Sequence, residues 1–157
     1  MQWTGQTPGH ELEALQTMGW ANSFEAFQDA IKTFKVPAQN LIYADTTGNI
    51  GLFTLADVPI RSGNPLVVRP GWQPAYDWQG TIPYQELPKI INPKKGWVAN
   101  ANNRVAGDRY PYYMSVYWQP DSRYKRIEQY LSDNNQLSPQ AFPVSYTHLT
   151  LPTIYSV

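Results

Sequence analysis

Half of the fourteen prolines in this 157-residue chain fall between Asp57 and Pro93, at Pro59, Pro65, Pro70, Pro74, Pro83, Pro88 and Pro93. Proline lacks the backbone N–H that a helix interior or a central strand requires, and its ring collides with a continuing helix. The middle of the chain therefore cannot hold a long helix, and the spacing predicts loops with short strands. The runs Arg69-Pro70-Gly71-Trp72, Tyr76-Asp77-Trp78-Gln79-Gly80 and Ile82-Pro83-Tyr84 interleave aromatics with these prolines. Aromatic side chains supply large packing area to a segment with little regular structure. With 42% hydrophobic residues the chain can build a core, and its length suits one ordinary domain.

Helices are predicted only towards the ends. Leu12, Leu15 and Met18 recur at helical spacing from His10 to about Gly19, with Glu11 and Glu13 in the first turn, where the helix dipole favours acids. Ser23 is an N-cap for a second helix whose stripe of Phe24, Phe27, Ile31 and Phe34 faces the core, and Pro37 closes it. A third helix begins near Asp121 or Ser122 and runs to about Ser132, with Ile127 and Leu131 on its apolar face. Between them, Asn40–Asp45 and Ile50–Thr54 read as two strands joined by Thr46-Thr47-Gly48-Asn49, a β-hairpin with turn residues that accept left-handed backbone. Glu86-Leu87-Pro88 reads as a helical turn, Lys94-Lys95-Gly96 as a solvated charged turn, and Trp97–Asn100 as a strand. Ser138-Pro139 has the form of an N-cap followed by proline at the first helical position.

Charge and composition exclude several functions. Twelve basic residues balance twelve acidic ones, so the basic excess of a nucleic-acid or anionic-membrane binder is missing. Without cysteine there are no disulfides and no thiolate metal site, and two histidines, His10 and His148, are too few for a structural zinc cluster. No apolar run reaches the length of a membrane span, and the residues after Met1 lack the pattern of a signal peptide. Residues 143–157 break with what precedes them. Val144–Thr153 is uncharged and is the translation of GTC TCT TAT ACA CAT CTG ACG CTG CCG ACG, which resembles an adapter of transposase-based sequencing libraries. The expectation is that this tail, His148 included, is not native and carries no function.

Conventional catalytic motifs are absent: there is no Gly-x-Ser-x-Gly elbow, no His-Glu-x-x-His and no glycine-rich phosphate loop. What remains is the polar cluster Asn100-Ala101-Asn102-Asn103-Arg104 after an apolar stretch. Asparagine amides aimed into a pocket can stabilise the oxyanion formed when an amide carbonyl is attacked. Asparagine clusters also simply make turns, and by residues alone both readings stand.

The chain resembles the penicillin acylase family through a series of ordered motifs. They are Gln2-Trp3-Thr4, Glu11-Leu12-Glu13-Ala14, Tyr43-Ala44-Asp45-Thr46-Thr47-Gly48-Asn49-Ile50-Gly51, Val58-Pro59-Ile60-Arg61, Pro70-Gly71-Trp72, Trp78-Gln79-Gly80-Thr81-Ile82-Pro83-Tyr84, Ile91-Asn92-Pro93, Gly96–Arg104 and Tyr110-Pro111-Tyr112-Tyr113. The resemblance covers about residues 2–142. It implies an α+β chain, part of the αββα sandwich of an N-terminal-nucleophile hydrolase, loop-rich with a β-hairpin and short helices. Residues 1–142 would then be a partial β-subunit and 143–157 the foreign tail.

In this family a precursor is cut autocatalytically, and a serine becomes the first residue of the β-subunit, with its own α-amine as base. Ser23, Ser62, Ser115, Ser122, Ser132 and Ser138 are internal here, so the nucleophile is expected outside this segment and the segment alone is expected to be inactive. By resemblance Asn102 is the side-chain oxyanion donor, with Asn100 and Asn103 as competitors. Arg123 is the arginine that orients it, with Arg126 as competitor.

The resemblance further implies an acyl amide substrate, either a penicillin-type side chain or an acyl-homoserine lactone. It implies an α-subunit from the same precursor as partner, a periplasmic or secreted location, and no required cofactor. A structural Ca2+ would take the backbone carbonyl of Pro65, although Met114 stands where some members place a carboxylate. The alternative function is a non-catalytic aromatic-rich binding module, which needs its tryptophans and tyrosines exposed on one face.

Overall fold

The computed structural model describes residues 2–134 and 136–143. The tail beyond Pro143 and its His148 lie outside the described residues. Two compact units are present, Met1–Gln119 and Pro120–Val157.

In the first unit, α1 (Glu11–Trp20) and α2 (Phe24–Ala30) lie near a sheet of three antiparallel strands, β1 (Gln39–Ala44), β2 (Ile50–Leu55) and β3 (Lys89–Ile91), in the order β1-β2-β3. Ser23 caps α2 as expected, its Oγ accepting from the Ala26 N–H at 3.1 Å. The stripe of α2 also behaves as expected: Phe27 and Ile31 are buried, and Phe24 and Phe34 pack against them, with a 3-10 turn over Ile31–Thr33 ending the helix before Pro37. Phe53 and Leu55 of β2 complete this core. The Phe27 ring centroid lies 4.2 Å from Tyr43 and 6.0 Å from Phe53, the latter edge-on, which adds quadrupole attraction to area burial. At 1% exposure, Phe53 is the residue whose truncation would cost most, about 3–5 kcal/mol.

Helix α1 departs from its sequence pattern in one respect. Ala14 is the buried residue and Met18 packs on the core, whereas Leu12 is 84% exposed. Helical spacing predicts the helix and leaves open which face finds a partner.

The hairpin forms with Leu41 opposite Phe53, Ile42 opposite Leu52 and Tyr43 opposite Gly51. Gly51 and Phe53 share a face, and a Cβ on Gly51 would fall 2.5 Å from the Phe53 ring, so only glycine fits beneath it. At the turn Gly48 takes φ +93°. The strongest element there is Asp45. Its Oδ1 accepts from the Thr47 N–H (2.9 Å), the Thr47 hydroxyl (2.8 Å) and the Asn49 N–H (2.9 Å). Its Oδ2 accepts from Asn49 Nδ2 (2.9 Å) and the Tyr43 hydroxyl (3.0 Å). The Asn49 amide above all, helped by Thr47 and Tyr43, holds the Asp45 carboxyl well below the usual carboxylate range. Asn92, just past β3, donates to Asn49 Oδ1 and accepts from the Ile50 N–H, each at 2.9 Å, tying the third strand to the turn.

The proline-rich middle is loop-rich, as expected, with an isolated bridge between Pro59 and Thr81 and 3-10 turns at Pro74–Tyr76 and Tyr84–Glu86. The helical turn predicted at Glu86–Pro88 thus sits two residues earlier, because Pro88 leads directly into β3. The Lys94–Gly96 turn exists, with Gly96 N–H donating to the Pro93 carbonyl, and Lys95 Nζ lies 3.5 Å from the Trp97 ring centroid rather than in free solvent. Residues 97–100 are not a strand. They form no ladder with any of the three strands, and an apolar run without ladder hydrogen bonds is not a strand.

In the second unit, α3 spans Ser122–Asp133, close to its predicted limits, with Ile127 and Leu131 half-buried and Arg123 exposed. After Ser138-Pro139 the backbone turns and becomes helical at 141–143, with the Tyr130 hydroxyl donating to the Ala141 carbonyl at 3.2 Å.

Candidate functional site

The asparagine cluster forms a compact loop whose geometry separates its three asparagines. Asn100 Oδ1 accepts from the Asn102 N–H at 3.1 Å, an Asx-turn. Asn103 Oδ1 accepts from the Ala101 N–H at 3.0 Å, and Asn103 Nδ2 donates to the Arg104 carbonyl at 3.2 Å. Both flanking asparagines therefore use their side chains to hold the loop. Asn102 is the exposed member, and its backbone is held on both sides: its N–H by Asn100, its carbonyl by the Gln119 N–H at 3.0 Å. It adopts φ +61°, the left-handed conformation that asparagine tolerates better than any other residue with a Cβ. The chain after the loop is anchored elsewhere: Arg104 pairs with Asp108, and the Tyr110 hydroxyl donates to the Glu86 carbonyl at 2.9 Å.

The loop is also connected to the sheet. Asn40 Nδ2 of β1 donates to Asn100 Oδ1 at 3.4 Å, and Asn40 Oδ1 accepts from the buried Thr54 hydroxyl of β2 at 3.1 Å. Sequence reasoning missed Asn40 and Thr54, because their connection to the loop spans some sixty residues and no local pattern marks it. It could have found the Asx-turn, since an asparagine side chain commonly accepts from the backbone N–H two residues on.

Arg123 is the second residue of α3 and belongs to the second unit, whereas Asn102 belongs to the first. Its competitor Arg126 donates from Nη1 to Gln129 Oε1 at 3.3 Å, within its own helix.

Pro65 lines a cavity of about 450 Å³ together with Arg61, Arg69, Tyr76, Asp77 and Trp78. The Arg61 guanidinium lies 5.4 Å from the Trp78 ring and that of Arg69 5.0 Å from Tyr76. Two guanidiniums beside a single carboxylate repel a divalent cation, and among the described residues no three His, Asp or Glu side chains gather as metal ligands. Met114 lines a second cavity, about 300 Å³, walled by Tyr110, Tyr112, Tyr113 and Trp118, with no acid in it. The described residues do not by themselves fit a calcium ion. Among them no helix is long and apolar enough to cross a membrane.

Comparison with known proteins gives one consistent result. A family described as penicillin amidase matches residues 1–145. The chain is 33% identical over 121 residues to the penicillin acylase 2 proenzyme of Pseudomonas sp. strain SE83, covering 76% of this chain and 16% of that protein. It is 30% identical over 141 residues to the acyl-homoserine lactone acylase QuiP of Pseudomonas fluorescens, covering 89% of this chain and 17% of that protein. Its structure matches that of a thermostable penicillin G acylase from Alcaligenes faecalis with a TM-score of 0.62 at 25% identity, covering 85% of this chain and 24% of the other. The chain thus spans about one sixth of the length of the curated relatives it matches. The helices, the hairpin and the asparagine loop all fall within the matched residues, and on this ground the chain belongs to the penicillin amidase family.

Proposed function

We propose that this chain is a segment of the β-subunit of a serine amidohydrolase that removes an acyl group from a linear amide. The observation that carries the reading is the exposed, left-handed Asn102, fixed through its backbone on both sides, in a chain of this family. In the proposed mechanism Asn102 Nδ2–H donates to the oxyanion of the tetrahedral intermediate. A donor held in place before the reaction stabilises the developing charge without reorganising, and that is where its value lies. By the family resemblance, orienting that amide in the intact enzyme is the role proposed for Arg123.

The nucleophile is the N-terminal serine of the β-subunit. It lies outside this segment and uses its own α-amine as base, directly or through water. The remaining parts come from the α-subunit of the same precursor. Penicillin acylase and acyl-homoserine lactone acylase are the activities named for the relatives, and the substrate proposed here is an acyl amide of one of these two kinds. On the sheet face opposite Phe53, Ile42 and Ile90 flank the buried Leu52 and are themselves exposed, apolar surface that a larger sandwich would cover. The enzyme works in the periplasm or outside the cell. Residues 143–157 take no part.

The test uses the full-length acylase that carries this segment. Asn102→Ala and Asn102→Gly should each lower kcat by roughly 10²–10³ with a smaller change in KM. Glycine keeps the left-handed backbone and removes only the amide, so it separates chemistry from conformation. Arg123→Ala should act in the same direction and non-additively with Asn102→Ala, and Asn103→Ala should be milder. If Asn102→Gly retains full kcat, the assignment of Asn102 is wrong; if Asn103→Ala alone abolishes turnover, the donor is one residue further on.

A further inference from the structure

We infer that Asn100, supported from the sheet by Asn40 and Thr54, is the positioning residue that sets the orientation of Asn102. The inference rests on the reading of Asn102 as the oxyanion donor. The direction of every bond in the relay follows from one fixed group. The Asn102 backbone N–H can only donate, so the Asn100 atom facing it, at 3.1 Å, is the carbonyl oxygen. That oxygen in turn requires a donor from Asn40, which therefore presents Nδ2, at 3.4 Å. Asn40 Oδ1 is left to accept from the Thr54 hydroxyl at 3.1 Å, and Thr54 is 8% exposed on the central strand.

One buried hydroxyl on β2 thus fixes an amide on β1, which fixes an amide before the loop, which fixes the backbone of the residue carrying the donor. The last step matters because Asn102 is at φ +61°, a conformation with a cost that neighbouring bonds must offset. Without Asn100 Oδ1 that residue can relax to negative φ, and the direction of its side chain changes with it. The Asn100 Nδ2 is buried and has no partner among the described residues. The side chain therefore contributes to the loop through its oxygen alone.

The measurement is kcat and KM of matured full-length acylase for a chromogenic acyl amide. Asn100→Ala should lower kcat by roughly 10- to 100-fold, as displacement of a catalytic donor does, and leave KM within about twofold. Asn100→Ser, whose hydroxyl can close a similar turn, should recover part of the loss. Asn100→Ala combined with Asn102→Ala should be no slower than Asn102→Ala alone, because a positioning residue has nothing to position once the donor is gone. Asn40→Ala, at an exposed position, should lower kcat by about two- to fivefold, the worth of one ordinary hydrogen bond.

If Asn102→Ala itself is harmless, the underlying reading fails. If Asn102→Ala is slow while Asn100→Ala keeps normal kcat, or the two losses multiply, Asn100 acts independently and the inference is overturned. Should Asn100→Ala fail to mature, Asn40→Ala decides: an unchanged kcat there overturns the relay.

Discussion

The hairpin turn at Asp45–Asn49 and the loop at Asn100–Arg104 are made from the same parts. Each has an Asx side chain whose oxygen accepts backbone N–H groups ahead of it, and each has one residue in left-handed backbone. They differ in what occupies those two roles. At the hairpin the acceptor is a carboxylate, Asp45, receiving five hydrogen bonds, and the left-handed residue is Gly48, with no side chain. At the loop the acceptor is the neutral amide of Asn100, and the left-handed residue is Asn102, which carries an amide. The first arrangement spends everything on closure. At the second, no carboxylate closes the turn and the left-handed residue carries an amide, which is the proposed donor to the oxyanion.

The largest effect expected from this contrast concerns turnover. Asn102→Gly makes the loop resemble the hairpin at its left-handed position, and kcat in the full-length acylase should fall by roughly 10²–10³ while thermal stability holds. A matching loss of stability would instead show that the amide serves structure. Next comes Asn100→Asp, which gives the loop the hairpin's acceptor. Aspartate closes an Asx-turn as well as asparagine, so folding should be retained, but a nearby negative charge opposes the oxyanion and kcat should drop about tenfold or more. Equal kcat for Asn and Asp at this position would place the oxyanion elsewhere.

At the hairpin the corresponding change is conformational. Gly48→Ala should destabilise by about 1–2 kcal/mol, since φ +93° penalises a Cβ although nothing lies within 4 Å to collide with it. Denaturant titration of the full-length protein checks this, with kcat expected to stay near normal.

The smallest effect separates the turns by pH. The folded-state pKa of Asp45 is depressed, chiefly by the Asn49 amide, so its contribution is complete above the unfolded carboxyl value of about 3.9 and is lost as pH falls below it. Hydrogen-exchange protection of the Thr47 and Asn49 amides should therefore weaken on acidification below about pH 4, and Asp45→Asn should abolish that dependence. The Asn102 amide, held by a neutral oxygen, should show no such local transition.

Much of the first turn was legible in the sequence, and the reason is local. Thr-Thr-Gly-Asn between two apolar runs predicts a hairpin wherever it occurs, and Ser23 predicts a cap by the same logic. Even there the part of Asp45 went unread, although Asp-x-Thr-x-Asn places two donors within its reach. The loop was legible as a candidate through its asparagines and the family resemblance, but not in its wiring. Asn40 and Thr54 reach it through tertiary contact, which no period or motif encodes. The strand expected at 97–100 failed for the related reason that a strand is a property of a pair, and these residues form no backbone ladder with the sheet although Asn100 meets Asn40 of β1 through its side chain. Leu12 and Leu15 show the limit once more: their spacing predicts a helix, and their exposure is decided by what packs against it.

Donation from Asn102 to the oxyanion is open to direct observation. A crystal structure of the full-length acylase with a tetrahedral boronate or phosphonate on its nucleophile tests it directly. Asn102 Nδ2 should lie about 2.7–3.1 Å from the oxygen that mimics the oxyanion. Asn103 Nδ2 or another donor in that place, with Asn102 beyond about 4 Å, would contradict it.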